Sequence, residues 1–156
     1  MRPDISIPVV VAGMHHGGLG IARTLGRWGV AVHGVDADPR APGLRSRYLR
    51  GAHVWGWSEH TAPETVDFLL RIAPAERSVL IPTSDDLALL VAEHADALGA
   101  RYLFQRNPPE LVRALSDKQA LYHLCRSLGV PTPETAFPRS PADVEAFAAS
   151  AVFPVM

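Results

Sequence analysis

The residues best suited to bind an anion lie in a glycine-rich stretch near the amino terminus. Gly13, Gly17, Gly18 and Gly20 follow an apolar run over residues 7–12 and precede a helical pattern. A strand, a glycine turn and a helix N-terminus together bring unpaired backbone N–H groups and the positive end of the helix dipole to one place. This order predicts either a loop that binds a substrate or nucleotide, or the tight first turn that any such fold needs.

Three further side chains belong to the same expected site. Asp36 ends the second expected strand, 23 residues after Gly13. Dinucleotide-binding folds place an acid that binds ribose at such a position, although the glycine spacing here departs from G-x-G-x-x-G. His15 and His16 lie inside the loop and suit a hydrogen bond to a substrate or simple exposure. No metal site is predicted, because adjacent histidines do not readily face one ion and no third ligand is near in sequence.

A second polar stretch follows the fourth expected strand and consists of Thr83, Ser84, Asp85 and Asp86. In open α/β sheets, ligands bind outside the carboxyl ends of the strands. Thr83, Ser84 and Asp85 are therefore candidates for the same site as the glycine loop. A helix cap and an acidic first turn account for Asp86 without any ligand, and they are the alternative for the other three.

The chain contains 14 arginines but one lysine, Lys118. This lysine lies in the first turn of an expected helix, where a cation opposes the helix dipole. A compact ammonium differs from a guanidinium fork chiefly as a point charge for phosphate. Its type and position therefore indicate a phosphate contact, with chance placement as the alternative.

Short apolar runs alternate with amphipathic stretches over the first hundred residues. Strands are expected at 7–12, 30–35, 53–57, 79–81 and 102–104, and helices at 19–28, 63–73 and 85–98. Such alternation predicts an α/β fold with a Rossmann-like, doubly wound, mostly parallel sheet. A helical C-terminal extension follows, in which Ser116 begins a helix with a buried face of Leu121, Leu124, Cys125 and Leu128.

The composition limits the classes of partner and location. Fifteen basic and 16 acidic residues give a formal charge of −1, so no nucleic-acid partner is predicted. The single cysteine, Cys125, excludes an internal disulfide and a cysteine-rich zinc site, and it favours a cytoplasmic location. No apolar run approaches the roughly 20 residues that a membrane helix needs, so no membrane partner is expected.

Several short motifs resemble those of one enzyme family. Residues 116–121 read S-D-K-Q-A-L and residues 128–135 read L-G-V-P-T-P-E-T. They resemble a stretch of ATP-grasp ligases in which D-K opens a helix that ends in G-(V/I)-P-x-P. The last residues, 153–156, are similar to the F-P-V-x-x-K strand of the same family. Residues 79–85 and Ser46-Arg47-Tyr48 look like the pre-ATP-grasp domain of its carboxylate–amine ligase and carbamoyl-phosphate-synthase-like members.

The resemblance implies a function and a domain division. Members of the family use ATP and Mg²⁺ to convert a carboxylate into an acyl phosphate, which an amine then attacks. Small-molecule carboxylates and amines are thus the implied partners, and Lys118 would be the first ATP lysine. The implied division is a pre-ATP-grasp Rossmann-like domain at 1–106 and a helical linker with the truncated start of the ATP-grasp domain at 107–156.

The resemblance also implies that the chain is an N-terminal fragment of a longer ligase. The fragment would be inactive alone, with no catalytic residue and no tightly bound cofactor of its own.

Two other hypotheses remain open. The glycine loop and Asp36 are compatible with an NAD(P)-binding domain of an oxidoreductase. The third hypothesis is a non-catalytic ligand-binding or dimerisation module, with Trp28, Trp55 and Trp57 as contact residues of a homodimer and core packing as their alternative role.

Overall fold

Five strands form one sheet in a computed structural model of the chain, which describes residues 4–152. The strands are β1 (Val9–Ala12), β2 (Val32–Asp36), β3 (Leu49–Val54), β4 (Ser78–Pro82) and β5 (Tyr102–Leu103). Their order across the sheet is β3-β2-β1-β4-β5, and each neighbouring pair is parallel. The predicted α/β fold with a doubly wound parallel sheet is confirmed.

Helices connect the strands and continue after the last of them. They are α1 (His16–Arg27), α2 (Ala62–Ile72), α3 (Asp85–Glu93), α4 (Ala95–Leu98), α5 (Pro109–Ser116), α6 (Lys118–Ser127) and α7 (Pro141–Ala148). A 3₁₀ turn at Pro42–Arg45 lies between β2 and β3. Within residues 4–152, none of these helices has the length and apolar character needed to cross a membrane.

The sheet separates two hydrophobic cores because successive side chains of a strand point to opposite faces. Val10 and Ala12 of β1 belong to one core, which also contains buried residues of α2, α3 and α4. Val9 and Val11 belong to the other core, together with Ala22 of α1. All four residues of β1 are buried, which explains its uninterrupted apolar sequence.

The chain divides into two compact units, the first ending at Val112 and the second starting at Arg113. The domain boundary expected between residues 106 and 107 stays a prediction. In the second unit, the face of α6 that was expected to be buried is only half-buried at Leu121, Leu124 and Cys125, and Leu128 is 69% exposed. The described part of this unit, residues 113–152, contains no strand that could cover such a face. The strand expected at the end of the chain falls on residues 153–156, outside the described residues.

Four other details of the elements differ from the sequence-based expectation. Strand β3, at the edge of the sheet, lies at 49–54 rather than 53–57, and its residues alternate between half-buried and exposed because successive side chains point to opposite faces. Helix α1 begins at His16 rather than at residue 19. The helix expected at 85–98 is divided at His94 into α3 and α4. The cap of α6 is Asp117 rather than Ser116, and its carboxylate accepts a 2.7 Å hydrogen bond from the backbone N–H of Ala120.

Two histidines on β2 and β3 lie side by side under α2. The ring centroids of His33 and His53 are 6.2 Å apart, and His53 makes an edge contact with Phe68 of α2. Burial lowers the pKa of both rings below the ordinary value of 6.5, and the neighbouring His53 lowers the pKa of His33 further. The folded chain therefore favours the neutral form of both rings.

Because of these two histidines, we expect the fold to lose stability in mild acid. Below pH 6.5 the unfolded chain binds more protons than the folded one, so the free energy of unfolding should fall as pH drops from about 7 to 5.5. Urea unfolding monitored by tryptophan fluorescence checks this, because all three tryptophans lie in the first unit. A double variant, His33→Gln with His53→Gln, should show a clearly smaller pH dependence. An unchanged dependence would contradict the explanation.

Candidate functional site

The turn after β1 is held against the start of the segment that follows β4. Gly13 has a φ of +97°, which favours glycine, and a Cβ at this position would lie 2.2 Å from Oγ1 of Thr83. The backbone N–H of Thr83 donates to the carbonyl of Ala12 over 2.9 Å. Its hydroxyl lies 2.8 Å from the carbonyl oxygen of Gly13 and 3.1 Å from that of Ala12, so its single proton goes to these backbone acceptors. Thr83 thus joins the carboxyl ends of β1 and β4.

The other three glycines of the predicted loop belong to α1 and differ from one another in surroundings. A Cβ on Gly18 would lie 2.0 Å from the carbonyl oxygen of Gly13, so glycine is required there for close packing of helix and turn. A Cβ on Gly17 or Gly20 would have no atom within 4 Å. Packing therefore explains Gly18, whereas Gly17 and Gly20 leave open space beside the first turns of α1.

Asp36 is buried and stabilises the turn after β1 through its carboxylate, a role that we call the Asp36 brace. Its side chain is about 5% exposed, and Oδ2 accepts a short hydrogen bond of 2.5 Å from the backbone N–H of Met14. Oδ1 accepts a 2.9 Å bond from the backbone N–H of Asp38 and lies 3.8 Å from Nε2 of His15. The acid thus holds the backbone just after β1 and just after β2, and each of its two oxygens accepts one backbone hydrogen bond.

A cleft of about 430 Å³ lies at the carboxyl ends of β1, β2 and β4. Five of the predicted site residues line it, namely Gly13, His15, Asp36, Thr83 and Ser84. Of the other five residues predicted for this site, four are exposed and do not line the cleft, namely His16, Gly17, Gly20 and Asp85, and Gly18 is buried behind the turn. The structure therefore brings predicted site residues from three separate parts of the sequence to one edge of the sheet, where ligands of such folds bind.

Two helix N-termini adjoin this cleft and differ in their caps. Ser84 caps α3, and its hydroxyl accepts a hydrogen bond from the backbone N–H of Leu87 over 3.4 Å. At the start of α1, His15 makes no side-chain cap, and the first turn contains no acidic residue. The first-turn N–H groups of α1 therefore have no side-chain acceptor, which leaves them available to an anionic group of a ligand.

Four residues that the sequence does not predict for the site also line the cleft: Ala37, Asp38, Trp57 and Leu87. Asp38 and Trp57 lie just after the carboxyl ends of β2 and β3, so their position in the strand pattern was the sequence signal that could have identified them as cleft residues.

The other two tryptophans do not line the cleft. Trp28 is 62% exposed. Trp55 packs between His60 and Phe68, with ring centroids 3.8 and 4.2 Å apart, and its indole N–H donates to Oγ1 of Thr65.

Lys118 lies in the second unit, at the first position of α6, and it is exposed. The cap of this helix is the neighbouring Asp117, so the lysine is not needed to satisfy the helix end. A cation at this position is opposed by the helix dipole. Among residues 4–152, no group of three or more His, Cys, Asp or Glu side chains is placed to hold a metal ion.

We expect the brace formed by Asp36 to stabilise the fold measurably. An Asp36→Asn variant keeps one acceptor oxygen and turns an NH₂ group toward a backbone N–H, so it should lose about 2 kcal/mol in free energy of unfolding. Urea unfolding followed by tryptophan fluorescence gives this value. The matched control is Asp85→Asn, an exposed acid in the first turn of α3, which should lose about 0.5 kcal/mol. Equal losses would contradict the bracing role.

Solved structures of several ligases and carboxylases share this fold. The chain is 22% identical to glycinamide-RNase-transformylase T from Mycobacterium tuberculosis, with a TM-score of 0.65 over 94% of this chain and 40% of that one. For N5-carboxyaminoimidazole ribonucleotide synthetase from Thermotoga maritima the identity is 15% and the TM-score 0.61, over 95% and 37%. For the biotin carboxylase domain of a single-chain bacterial carboxylase the values are 25% and 0.52, over 92% and 34%.

The chain spans about two fifths or less of the length of these structures. No protein-family model and no curated protein sequence matches it. The three structures are ATP-grasp ligases, and the match falls on the region that precedes their ATP-grasp domain. The chain therefore has the fold of the N-terminal region of ATP-grasp ligases, as the resemblance of its motifs implies.

Proposed function

We propose that this chain is the N-terminal part of an ATP-dependent ligase. The ligase activates a carboxylate as an acyl phosphate, and an amine then attacks the acyl carbon. The observation that carries the proposal is the cleft at the carboxyl ends of β1, β2 and β4, next to the uncapped start of α1. The shared fold with ligase N-terminal regions and the motif around Lys118 support it.

The cleft is suited to hold part of a small polar substrate. Free N–H groups and the positive end of the α1 dipole favour a carboxylate at one side. Asp38, whose side chain is 43% exposed, offers an acceptor for an amine on the other side. His15 lies 3.8 Å from Asp36 at the same cleft and donates or accepts a hydrogen bond according to its tautomer. These groups bind and orient a substrate within the first unit.

The residues present also suit a contact to ATP in the second unit. The ammonium of Lys118 is exposed and does not cap its helix, so it is available to contact a phosphate oxygen. ATP supplies the phosphoryl group that makes the carboxylate carbon reactive. The described residues contain no cluster that would hold Mg²⁺. The proposal therefore assigns the chain a share in binding ATP and leaves Mg²⁺ ligation to other parts of the ligase.

Trapping of the acyl phosphate tests this function. The ligase that carries this chain is incubated with Mg·ATP, a panel of amino acids and other small carboxylates, and hydroxylamine as the attacking amine. We expect hydroxamate and ADP to form in equal amounts with at least one carboxylate. The chain of 156 residues alone should form neither product. The proposal is overturned if no carboxylate gives ADP or hydroxamate, and the expectation for the isolated chain fails if it turns over ATP by itself.

One observation favours a second candidate, a nicotinamide-dinucleotide-binding domain. The strand order β3-β2-β1-β4-β5 is the order of dinucleotide-binding folds. The burial of Asp36, whose side chain is about 5% exposed, argues against it, because the acid of such a site must be accessible to ribose hydroxyls. Thermal denaturation with each ligand separates the two, since a ligand that binds the native state raises the apparent Tm. A rise with NAD and none with Mg·ATP would favour the dinucleotide candidate.

A further inference from the structure

A second depression, distinct from the substrate cleft, lies along the flank of α1. It is a groove of about 450 Å³ between α1 and the segment that contains the 3₁₀ turn. Arg23 and Arg27 of α1 line one side, and Arg45, Ser46, Arg47 and Tyr48 line the other. We call it the arginine groove. None of these residues lines the cleft at the carboxyl ends of the strands.

Two glycines allow the sides of the arginine groove to approach each other. A Cβ on Gly43 would lie 2.3 Å from the carbonyl oxygen of Met14, which instead accepts a 2.8 Å hydrogen bond from the Gly43 N–H. A Cβ on Gly26 would lie 2.5 Å from the Cβ of Tyr48. The 3₁₀ segment is therefore fixed directly against α1, and arginines about 20 residues apart in sequence converge on one groove.

The charge of the arginine groove is uncompensated within the described chain. No carboxylate of residues 4–152 lies within 4.0 Å of a guanidinium of Arg23, Arg27, Arg45 or Arg47. The structure pairs other arginines differently: Arg106, for example, lies 2.8 Å from Asp96. Both sides of the groove come from acid-free sequence, since residues 5–35 and 39–58 contain no Asp or Glu. A chain with a net charge of −1 thus gathers four guanidiniums in one place.

Tyr48 is held inside this positive region. Its hydroxyl lies 3.0 Å from an Nη atom of Arg47, and the Arg47 guanidinium carbon lies 5.0 Å from the ring centroid. Hydrogen bonds from Arg47 and Arg27 lower the pKa of the Tyr48 hydroxyl. The same donors that favour a phenolate favour any other oxyanion in the groove. Like charges repel one another, so four guanidiniums around one polar groove favour a bound anion, which offsets that repulsion.

We propose that the arginine groove binds a small phosphorylated molecule. Guanidinium forks match the oxygens of phosphate in bidentate geometry, which is why arginine suits phosphate recognition. A volume of about 450 Å³ lies within the range of small-molecule sites. The phosphate lies between the arginines of α1 and those of the 3₁₀ segment, and the ring of Tyr48 adjoins the organic part. This assignment does not depend on the ligase function.

Calorimetric titration of the 156-residue chain with inorganic pyrophosphate tests the assignment. We expect saturable binding with one site per chain. Raising NaCl from about 0.05 to about 0.5 M should lower the affinity at least tenfold, on the order expected when salt screens exposed charges. A double variant, Arg23→Ala with Arg45→Ala, should weaken binding at least tenfold. Both side chains are exposed, and far-UV circular dichroism should show that the variant folds.

The matched control removes the same charge elsewhere. Arg77 and Arg126 are exposed and lie outside the groove, so Arg77→Ala with Arg126→Ala should bind pyrophosphate as the unmodified chain does. Citrate and a single-stranded DNA oligonucleotide serve as further probes. Equal losses in both double variants would overturn the proposal. Citrate binding as tight as pyrophosphate would overturn the phosphate assignment, and binding of the oligonucleotide without pyrophosphate would assign the groove to nucleic acid instead.

Discussion

The Gly18→Ala variant should lose about 3 kcal/mol or more in free energy of unfolding, or fail to fold. The added methyl group would lie 2.0 Å from the carbonyl oxygen of Gly13, 3.0 Å from its carbonyl carbon and 3.2 Å from the sulfur of Met14. Two of these atoms are backbone, and Met14 is fully buried, so none can move away cheaply. For a chain of this size the loss corresponds to a fall in Tm of roughly 10 °C.

Gly20→Ala is the matched control in the same helix. No atom lies within 4 Å of the methyl group it would add, so the higher helix propensity of alanine should raise stability by about 1 kcal/mol. Tryptophan fluorescence during urea unfolding measures both variants. A similar stability for the two variants would show that the turn is not packed as closely as described. A weaker substrate affinity of a stable Gly20→Ala ligase would place Gly20 against the substrate.

The Lys118→Ala variant of the ligase should lose about 100-fold in kcat/KM for ATP, or about 2.7 kcal/mol of transition-state stabilisation. This follows from the proposed contact between the ammonium and a phosphate oxygen. The fold should be unaffected, because the side chain is exposed at the first position of α6. Removing a cation that opposes the helix dipole should leave the free energy of unfolding unchanged or raise it by a few tenths of a kcal/mol.

Two controls separate the role of Lys118 from a general effect of charge. Arg126→Ala removes an exposed cation from the last turn of the same helix and should leave ATP turnover unchanged. Lys118→Arg keeps the charge but replaces the compact ammonium with a planar fork, so it should recover only part of the activity. Unchanged kcat and KM for ATP in Lys118→Ala would remove this lysine from the ATP site.

Much of the fold could be predicted from the sequence because its central strands are buried on both faces. Strand β1 is an uninterrupted apolar run, and the polar residues Thr83 and Ser84 mark the end of β4 clearly. The edge strand β3 was misplaced because only alternate residues of it are shielded, and Arg50 and Gly51 hide its pattern. The division of α3 from α4 at His94 was missed because a stripe of apolar residues continues across it.

The predicted site residues divide according to how far their role depends on packing. The sequence identified the elements that end at the cleft, so Gly13, His15 and Thr83 were found by position alone. It could not show that Asp36 turns inward to accept two backbone N–H groups, because that geometry depends on the turn at Met14. Nor could it show that Gly18 serves packing while Gly20 is open to solvent.

By itself, the sequence determined the α/β class, the glycine turn, the position of Lys118 and the resemblance to ATP-grasp ligases. These features depend on local periodicity and on motifs that are contiguous along the chain. Only the tertiary structure decided which residues share a cleft and which arginines share a groove. Arg23 and Arg45 are 22 residues apart in sequence, and they line one groove because Gly26 and Gly43 let two backbone segments touch. Such convergence arises from close packing between elements, which local sequence patterns do not encode.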